Sequence, residues 1–124
     1  RLPSFMEARS KVHEFYNENL KNVNWLDLPL PIAEGCTTSY YFYHIQVKNG
    51  KRDELAKYLR DCGIYTTYRY FPLHRVPGYG VHACCPNADY AVDNTLCMPM
   101  HQSLSLDDLT LIVDTIKEFG SKYC

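Results

Sequence analysis

The chain has 124 residues, of which 46% are hydrophobic and 22% charged, and its formal net charge is -1; this balance is typical of one globular domain. Lysine and arginine are spread along the sequence without a basic block, so no nucleic-acid partner is indicated. No apolar run is long enough to span a bilayer, so a membrane protein is not indicated, and the first residues lack the apolar segment of a signal peptide.

The first part of the chain predicts a helix followed by a strand. Residues 3–20 carry apolar side chains at helical spacing, and Pro3 is favoured in a first helical turn. Residues 24–38 contain two prolines and a glycine and predict a connector, in which Trp25 begins a short strand. Residues 39–48 alternate as a strand does, and one face of it carries Tyr41, Tyr43, Ile45 and Val47.

The middle of the chain predicts a turn, a helix, a second strand and a long loop. Asn49 and the following glycine predict the turn, and residues 52–62 predict the helix. Gly63 stands at the position of a C-terminal cap. Residues 64–70 predict the second strand. The loop that follows is predicted from Pro72, Pro77, Gly78 and Gly80.

The last third predicts a short helix, a third strand and a long final helix. Asn87 is predicted to cap the short helix, whose inward residues are Ala88, Ala91, Val92 and Thr95. Residues 96–100 predict the strand. Ser105 and Asp108 predict a capping box for the final helix, whose buried stripe is Leu109, Ile112, Val113, Ile116 and Phe119. This order predicts an α+β domain with helices packed on a short, mostly antiparallel sheet and no internal boundary.

The six cysteines do not predict a disulfide scaffold or a metal site. Their number is even, which suits a secreted framework, but their spacing shows none. Reduced thiols and a cytoplasmic location are the better prediction. A metal site built from Cys84, Cys85 and the three histidines nearest them (His74, His82 and His101) matches no compact ligand spacing, so no metal is predicted.

Several segments, taken together, resemble the DegT/DnrJ/EryC1/StrS family of sugar aminotransferases. They are RLPSFMEARSKVHEFYNENL, YYFYHIQVKNGKRDELAKYLRDCGI, TTYRYFPLHRVPGY and CPNADYAVDNTLCMPMHQSLSLDDL. The resemblance covers nearly the whole chain in the correct order. Two departures stand out: Arg69-Tyr70 replaces the His-Tyr that many relatives have before the proline-rich loop, and Asp89 stands where Glu is commoner.

The resemblance implies that residues 1–124 form the small C-terminal domain of a fold type I enzyme. In the family a separate large domain holds pyridoxal phosphate (PLP) on a lysine, and the active sites lie at a homodimer interface. An amino group passes from glutamate or glutamine to a keto group of a nucleotide-linked sugar. No lysine here matches the family's cofactor lysine, so we expect the large domain to lie outside this chain, in keeping with its start at Arg1, and the chain alone to be inactive.

The resemblance also indicates substrate-binding residues, because the proline-rich loop approaches the active-site mouth in relatives. Arg69 ends the second predicted strand and can bind a phosphate or carboxylate; a surface ion pair is the alternative. Tyr68 and Tyr70 can stack on a sugar or base, or simply be half-buried. His74 can donate to a phosphate or close a turn through a backbone hydrogen bond.

Other histidines are predicted to be structural, and other functions stay open. His101 is expected to cap the last helix, while His13 and His44 are expected to be ordinary helix and strand residues. One alternative is a non-catalytic binding or interaction module that reuses this fold, because no catalytic constellation is complete here. The other is PLP-dependent sugar dehydration, which a minority of the family performs.

Overall fold

The computed structural model describes residues 1–79 and 83–124. Gly80 of the predicted loop and His82 of the rejected metal set lie outside the described residues. The helices are α1 (Leu2–Leu20), α2 (Arg52–Asp61), α3 (Pro86–Asn94) and α4 (Leu106–Tyr123); the strands are β1 (Leu26–Asp27), β2 (Tyr43–Val47) and β3 (Thr95–Met98). The strands form one three-stranded antiparallel sheet in the order β1-β2-β3. The α+β prediction is confirmed.

The centre of the core is the inward face of β2. Tyr43, Ile45 and Val47 are fully buried, as the alternation predicts. Ile45 is paired with Leu96 of β3, and Val47 with Leu26 of β1, so each neighbouring strand adds an apolar side chain to the same core. The strand is shorter than the predicted 39–48, and Tyr41 lies outside it, 56% exposed.

The long helices supply the rest of the core. The stripe predicted for α4 is buried in full, and α4 packs against both α1 and α2. Its capping box is confirmed, because Asp108 N donates to Ser105 Oγ at 3.1 Å and Ser105 N donates to Asp108 Oδ2 at 2.9 Å. Gly63 follows α2 with a φ of +80°, the left-handed conformation that favours glycine at a helix end. Among the described residues, no helix is both long enough and apolar enough to cross a membrane.

The predicted strand over residues 64–70 is wrong. Only Thr67 pairs with the sheet, through two hydrogen bonds with Cys97 of 3.1 and 2.8 Å. The next hydrogen-bonded pair in that register would join Tyr65 to Pro99, which has no N–H to donate. On the other side the chain leaves the sheet towards Arg69, so a single pair attaches this segment to β3.

The predicted start of the short helix is also wrong. Cys85, not Asn87, is the N-cap of α3, because Pro86 takes the first helical position, where its fixed φ suits the helix. Ala88 is exposed rather than inward. The third strand begins one residue before the predicted 96–100 and ends at Met98, ahead of Pro99. The other predicted inward residues, Ala91, Val92 and Thr95, are half-buried.

Two half-buried histidines lie side by side where α1 meets β2. The ring of His13 packs edge-on against Tyr40 and Tyr43, with centroids 5.4 and 5.2 Å apart, and its Nδ1 lies 3.2 Å from Asn17 Nδ2. Burial lowers the pKa of His13, although Glu14 opposes this. Burial, followed by the charge of His13, lowers the pKa of His44. Both imidazoles are therefore held in the neutral form.

These histidines give an expected pH dependence of stability. Their folded pKa values lie below the ordinary value of 6.5, so the unfolded chain binds more protons, and the free energy of unfolding falls as the pH drops below about 6.5. Urea titrations at pH 7 and pH 5 should show this loss, and His44→Gln should reduce it. An equal loss in the variant would contradict the assignment of the effect to His44.

Candidate functional site

The candidate site lies on the segment that leaves the sheet after Thr67. Ile64 and Thr66 are buried and anchor its start, and the pairing of Thr67 with Cys97 is its attachment to β3. Beyond this point the side chains reach solvent: Tyr68 is 49% exposed and Tyr70 67% exposed. The sequence therefore places polar and aromatic side chains on a loop that is fixed at one end by the core.

Arg69 lies between two tyrosines. Its Nη1 donates to Tyr41 Oη at 2.8 Å and to Tyr70 Oη at 3.2 Å. The guanidinium carbon is 5.5 Å from the ring centroid of Tyr41 and 5.7 Å from that of Tyr70, within the range of cation–π attraction. The hydrogen bond from Arg69 lowers the pKa of Tyr41. Among the described residues, Arg69 forms no surface ion pair, since its partners are the hydroxyls of Tyr41 and Tyr70.

The ring of Tyr68 packs against Arg52 of α2 rather than against Arg69. The guanidinium carbon of Arg52 lies 4.5 Å from the Tyr68 ring centroid. Arg52 also donates from Nη1 to the carbonyl oxygen of Val92 at 2.8 Å, which connects the start of α2 to α3. One face of the Tyr68 ring is thus occupied by Arg52, and half of the residue remains accessible to a ligand.

His74 is fixed by a carboxylate rather than by a backbone turn. Its Nε2 lies 2.8 Å from Asp89 Oδ1 on α3. Arg75 contacts the same carboxylate and forms a two-pronged contact with Asp93 at 3.0 and 3.2 Å. The hydrogen bond from His74, followed by those from Arg75, lowers the pKa of Asp89. These ion pairs connect the proline-rich loop to α3, which gives Asp89 a structural role.

The structure thus brings Arg69 and Tyr70 together and places His74 on a separate contact with α3. It adds Tyr41, which the alternation of residues 39–48 places on the same strand face as Tyr43. The alternation of residues 39–48 gave no sign that the strand begins only at Tyr43. The only available signal was the run of aromatic residues immediately before β2.

His101 closes a turn, and the described residues contain no metal-binding cluster. His101 does not cap α4, since Ser105 does; its Nδ1 accepts from Ser103 N at 3.3 Å and closes the turn before that helix. In the part of the chain that the structure describes, no group of three or more His, Cys, Asp or Glu residues is placed to hold a metal ion.

The lysine side chains are exposed or half-buried. A lysine that holds a covalent cofactor such as PLP needs a lowered pKa, which comes from burial or a nearby cation. Here the side chains lie at the surface, and hydrogen bonds to carboxylates raise the pKa of Lys11, Lys51 and Lys122. Lys57 likewise pairs with Asp61 at 2.6 Å. These four lysines are therefore engaged with carboxylates at the surface.

Comparison with known proteins gives the family. The sequence profile described as the DegT/DnrJ/EryC1/StrS aminotransferase family matches residues 1–117. The chain belongs to this family. A relative from Saccharopolyspora spinosa, named dTDP-4-dehydro-2,3,6-trideoxy-D-glucose 4-aminotransferase, is 35% identical over 95% of this chain and 31% of its own length. A Shigella dysenteriae relative, named dTDP-4-amino-4,6-dideoxy-D-glucose transaminase, is 30% identical over 94% of this chain and 34% of its own.

A solved aminotransferase structure has the same fold. The aminotransferase TlmJ from Streptoalloteichus hindustanus superposes with a TM-score of 0.93 at 40% identity, over 98% of this chain and 33% of its own. The chain therefore spans about a third of the length of the relatives that it matches. The prediction that the fold is that of an aminotransferase domain is confirmed.

Proposed function

We propose that the protein is a PLP-dependent aminotransferase of nucleotide-linked sugars and that residues 1–124 form its small C-terminal domain. The names of the two curated relatives support this, because both describe amino transfer on a dTDP-linked sugar at carbon 4. A dTDP-linked 4-keto sugar is accordingly the acceptor to test first. Glutamate or glutamine is the proposed donor, and the proposed assembly is a cytoplasmic homodimer.

In this proposal the cofactor belongs to the rest of the protein. PLP, when bound, supplies an electron sink for the transfer of the amino group. The surface position of the lysines here supports placing its lysine outside residues 1–124. The part of this chain is then to bind and orient the substrate, not to hold the cofactor.

The main support for a substrate-binding role is the environment of Arg69. It is a cation held by two phenols, with no carboxylate partner among the described residues. It also lies on a face of exposed aromatic side chains, where a substrate or the large domain can pack. Tyr70, Tyr68 and His74 are the proposed neighbours of the substrate on this loop. The exposed apolar residues of this loop and of the segment before β2 are Tyr41, Phe42, Tyr68, Tyr70, Phe71, Leu73 and Tyr79.

The full-length protein provides the test. Incubated with a dTDP-linked 4-keto sugar and either glutamate or glutamine, it should give an amino sugar detectable by mass spectrometry. It should also show the visible absorbance of lysine-bound cofactor, which residues 1–124 alone should lack. A product that has lost water, without gaining nitrogen, would support the dehydratase alternative. Absence of both cofactor absorbance and product would contradict the proposal and favour a binding module.

A further inference from the structure

We propose that Tyr41 is a positioning residue for substrate binding: its hydroxyl, together with that of Tyr70, fixes Arg69 so that the opposite edge of the guanidinium binds an oxyanion. The oxyanion is a phosphate of the nucleotide-linked sugar or the carboxylate of the amino donor. The inference rests on the proposed function, because it assigns the chemistry of the same loop. It adds a residue from a different segment, before β2, to the site.

The hydrogen-bond geometry of Arg69 divides its donors into two sets. A guanidinium has five N–H groups in a fixed planar fork. Both N–H groups of Nη1 are directed to phenol oxygens, at 2.8 Å to Tyr41 and 3.2 Å to Tyr70. The remaining N–H groups, on Nε and Nη2, form one edge of the fork. Two parallel N–H groups on such an edge match the two oxygens of a carboxylate or phosphate.

This edge is accessible and has no partner among the described residues. The buried side-chain nitrogens that lack a hydrogen bond there belong to Arg9 and Arg52, not to Arg69. The Nε and Nη2 atoms of Arg69 therefore reach solvent. An incoming anion can approach this edge without displacing Tyr41 or Tyr70 from Nη1.

The charge environment of Arg69 differs from that of the arginines packed near it. Arg75 contacts two carboxylates, Asp89 and Asp93. Arg52 has Asp53 Oδ1 2.7 Å from its Nε, an ion-pair contact without hydrogen-bond alignment. Among the described residues, the hydrogen-bond partners of Arg69 are Tyr70 and Tyr41, which raise its pKa, and no carboxylate lies within ion-pair distance. Its positive charge is therefore not compensated within the described chain, which leaves it for an anionic ligand.

Tyr41 is the partner that matters for orientation. Tyr70 is the sequence neighbour of Arg69 and moves with the same loop, whereas Tyr41 belongs to the segment leading into β2. The Tyr41 ring also packs edge-on against Phe42, with centroids 5.6 Å apart. Tyr41→Phe keeps this ring contact and removes only the acceptor for Arg69. The change should loosen Arg69 without disturbing the packing.

The test compares Arg69→Ala, Tyr41→Phe and a control, Tyr65→Phe, in the full-length enzyme. Tyr65 is a 72% exposed tyrosine on the same segment, without a hydrogen bond from its hydroxyl to any described residue. KM and kcat are measured separately for the nucleotide sugar and for the amino donor, and calorimetry gives the Kd of dTDP and of glutamate. The calorimetric constants do not depend on turnover.

Arg69→Ala should weaken binding of one substrate by roughly tenfold or more, as expected for a charged hydrogen-bonding group. Tyr41→Phe should raise KM for the same substrate by about 3- to 10-fold, with kcat within about twofold, because a hydrogen bond to a charged group is lost. Tyr65→Phe should leave both KM and Kd unchanged. An effect on the nucleotide sugar and dTDP identifies the oxyanion as phosphate; an effect on the donor and glutamate identifies it as carboxylate.

Three results would overturn the inference, and the first two also separate it from the proposed function. If Arg69→Ala weakens binding but Tyr41→Phe behaves like Tyr65→Phe, Tyr41 does not position Arg69, and the role of Arg69 stands. If Arg69→Ala changes no KM and no Kd, Arg69 binds no substrate; the inference then fails with that part of the proposed function, while amino transfer itself is unaffected. A fall in kcat alone for Tyr41→Phe would also contradict a role in binding.

Discussion

Replacing Phe119 by alanine is expected to lower the free energy of unfolding by about 3–5 kcal/mol, the usual range for a large aromatic residue removed from a core. Phe119 is 1% exposed, and its ring centroid lies 5.8 Å from Trp25, 5.6 Å from Tyr58 and 4.9 Å from Tyr123. This aromatic cluster joins α4 to α2 and to the segment before β1. Since a domain is typically stable by only about 5–15 kcal/mol, the loss is a large part of the total.

Urea unfolding of the 124-residue chain, followed by circular dichroism, measures this effect. Leu111→Ala is the matched control, because Leu111 lies on the same helix but is 54% exposed. Its loss should be about 1 kcal/mol or less, since little apolar surface is returned to water. Similar losses in the two variants would contradict the position of Phe119 in the core.

Gly120→Ala is expected to destabilise the chain by about 1–3 kcal/mol, the usual range for overpacking, even though alanine favours helices over glycine by about 1 kcal/mol. A Cβ at this position would overlap Trp25 Nε1 and lie 2.7 Å from its Cε2. These are atoms of the indole ring itself, and the ring packs on Phe119. The whole side chain would have to move.

A second background separates the clash from the helix preference. In a Trp25→Ala chain the indole is gone, so Gly120→Ala should become stabilising by up to about 1 kcal/mol through helix propensity alone. The change of sign, measured by chemical unfolding, is the decisive result. The same sign in both backgrounds would show that contact with Trp25 does not require glycine at this position. Ser121→Ala, at an exposed site one residue later, should have little effect in either background.

The helices and strands that the sequence predicts correctly are those where the local pattern of residues agrees with the packing around them. In α4 the apolar stripe and the Ser105 cap both indicate the same helix, and the structure has it. Residues 64–70 show the opposite case, because their β-forming side chains predict a strand whatever lies beside them. Pro99, directly after β3, limits the pairing to Thr67, and no local pattern in residues 64–70 contains that information.

The sequence predicts the main residue of the candidate site but not the residues that contact it. Arg69 could be singled out because a charged fork at the end of an extended segment, entering a loop, is a frequent place for function. Its partner Tyr41 could not, because the two residues are 28 positions apart and the alternation places Tyr41 on the same strand face as Tyr43. For His74 the chemistry was anticipated, but its carboxylate partner on α3 depends on how the loop folds back.

The single tryptophan of the chain has an experimental consequence. There are eleven tyrosines but one indole, and that indole lies against Phe119 and Gly120 in the last turns of α4. Red-edge excitation selects the indole, so its fluorescence reports on one place in the molecule. Fraying of the C-terminal turns would shift the emission to longer wavelength before the far-ultraviolet signal of the helices changes. Local opening of α4 and global unfolding can thus be followed as two separate optical signals in one sample.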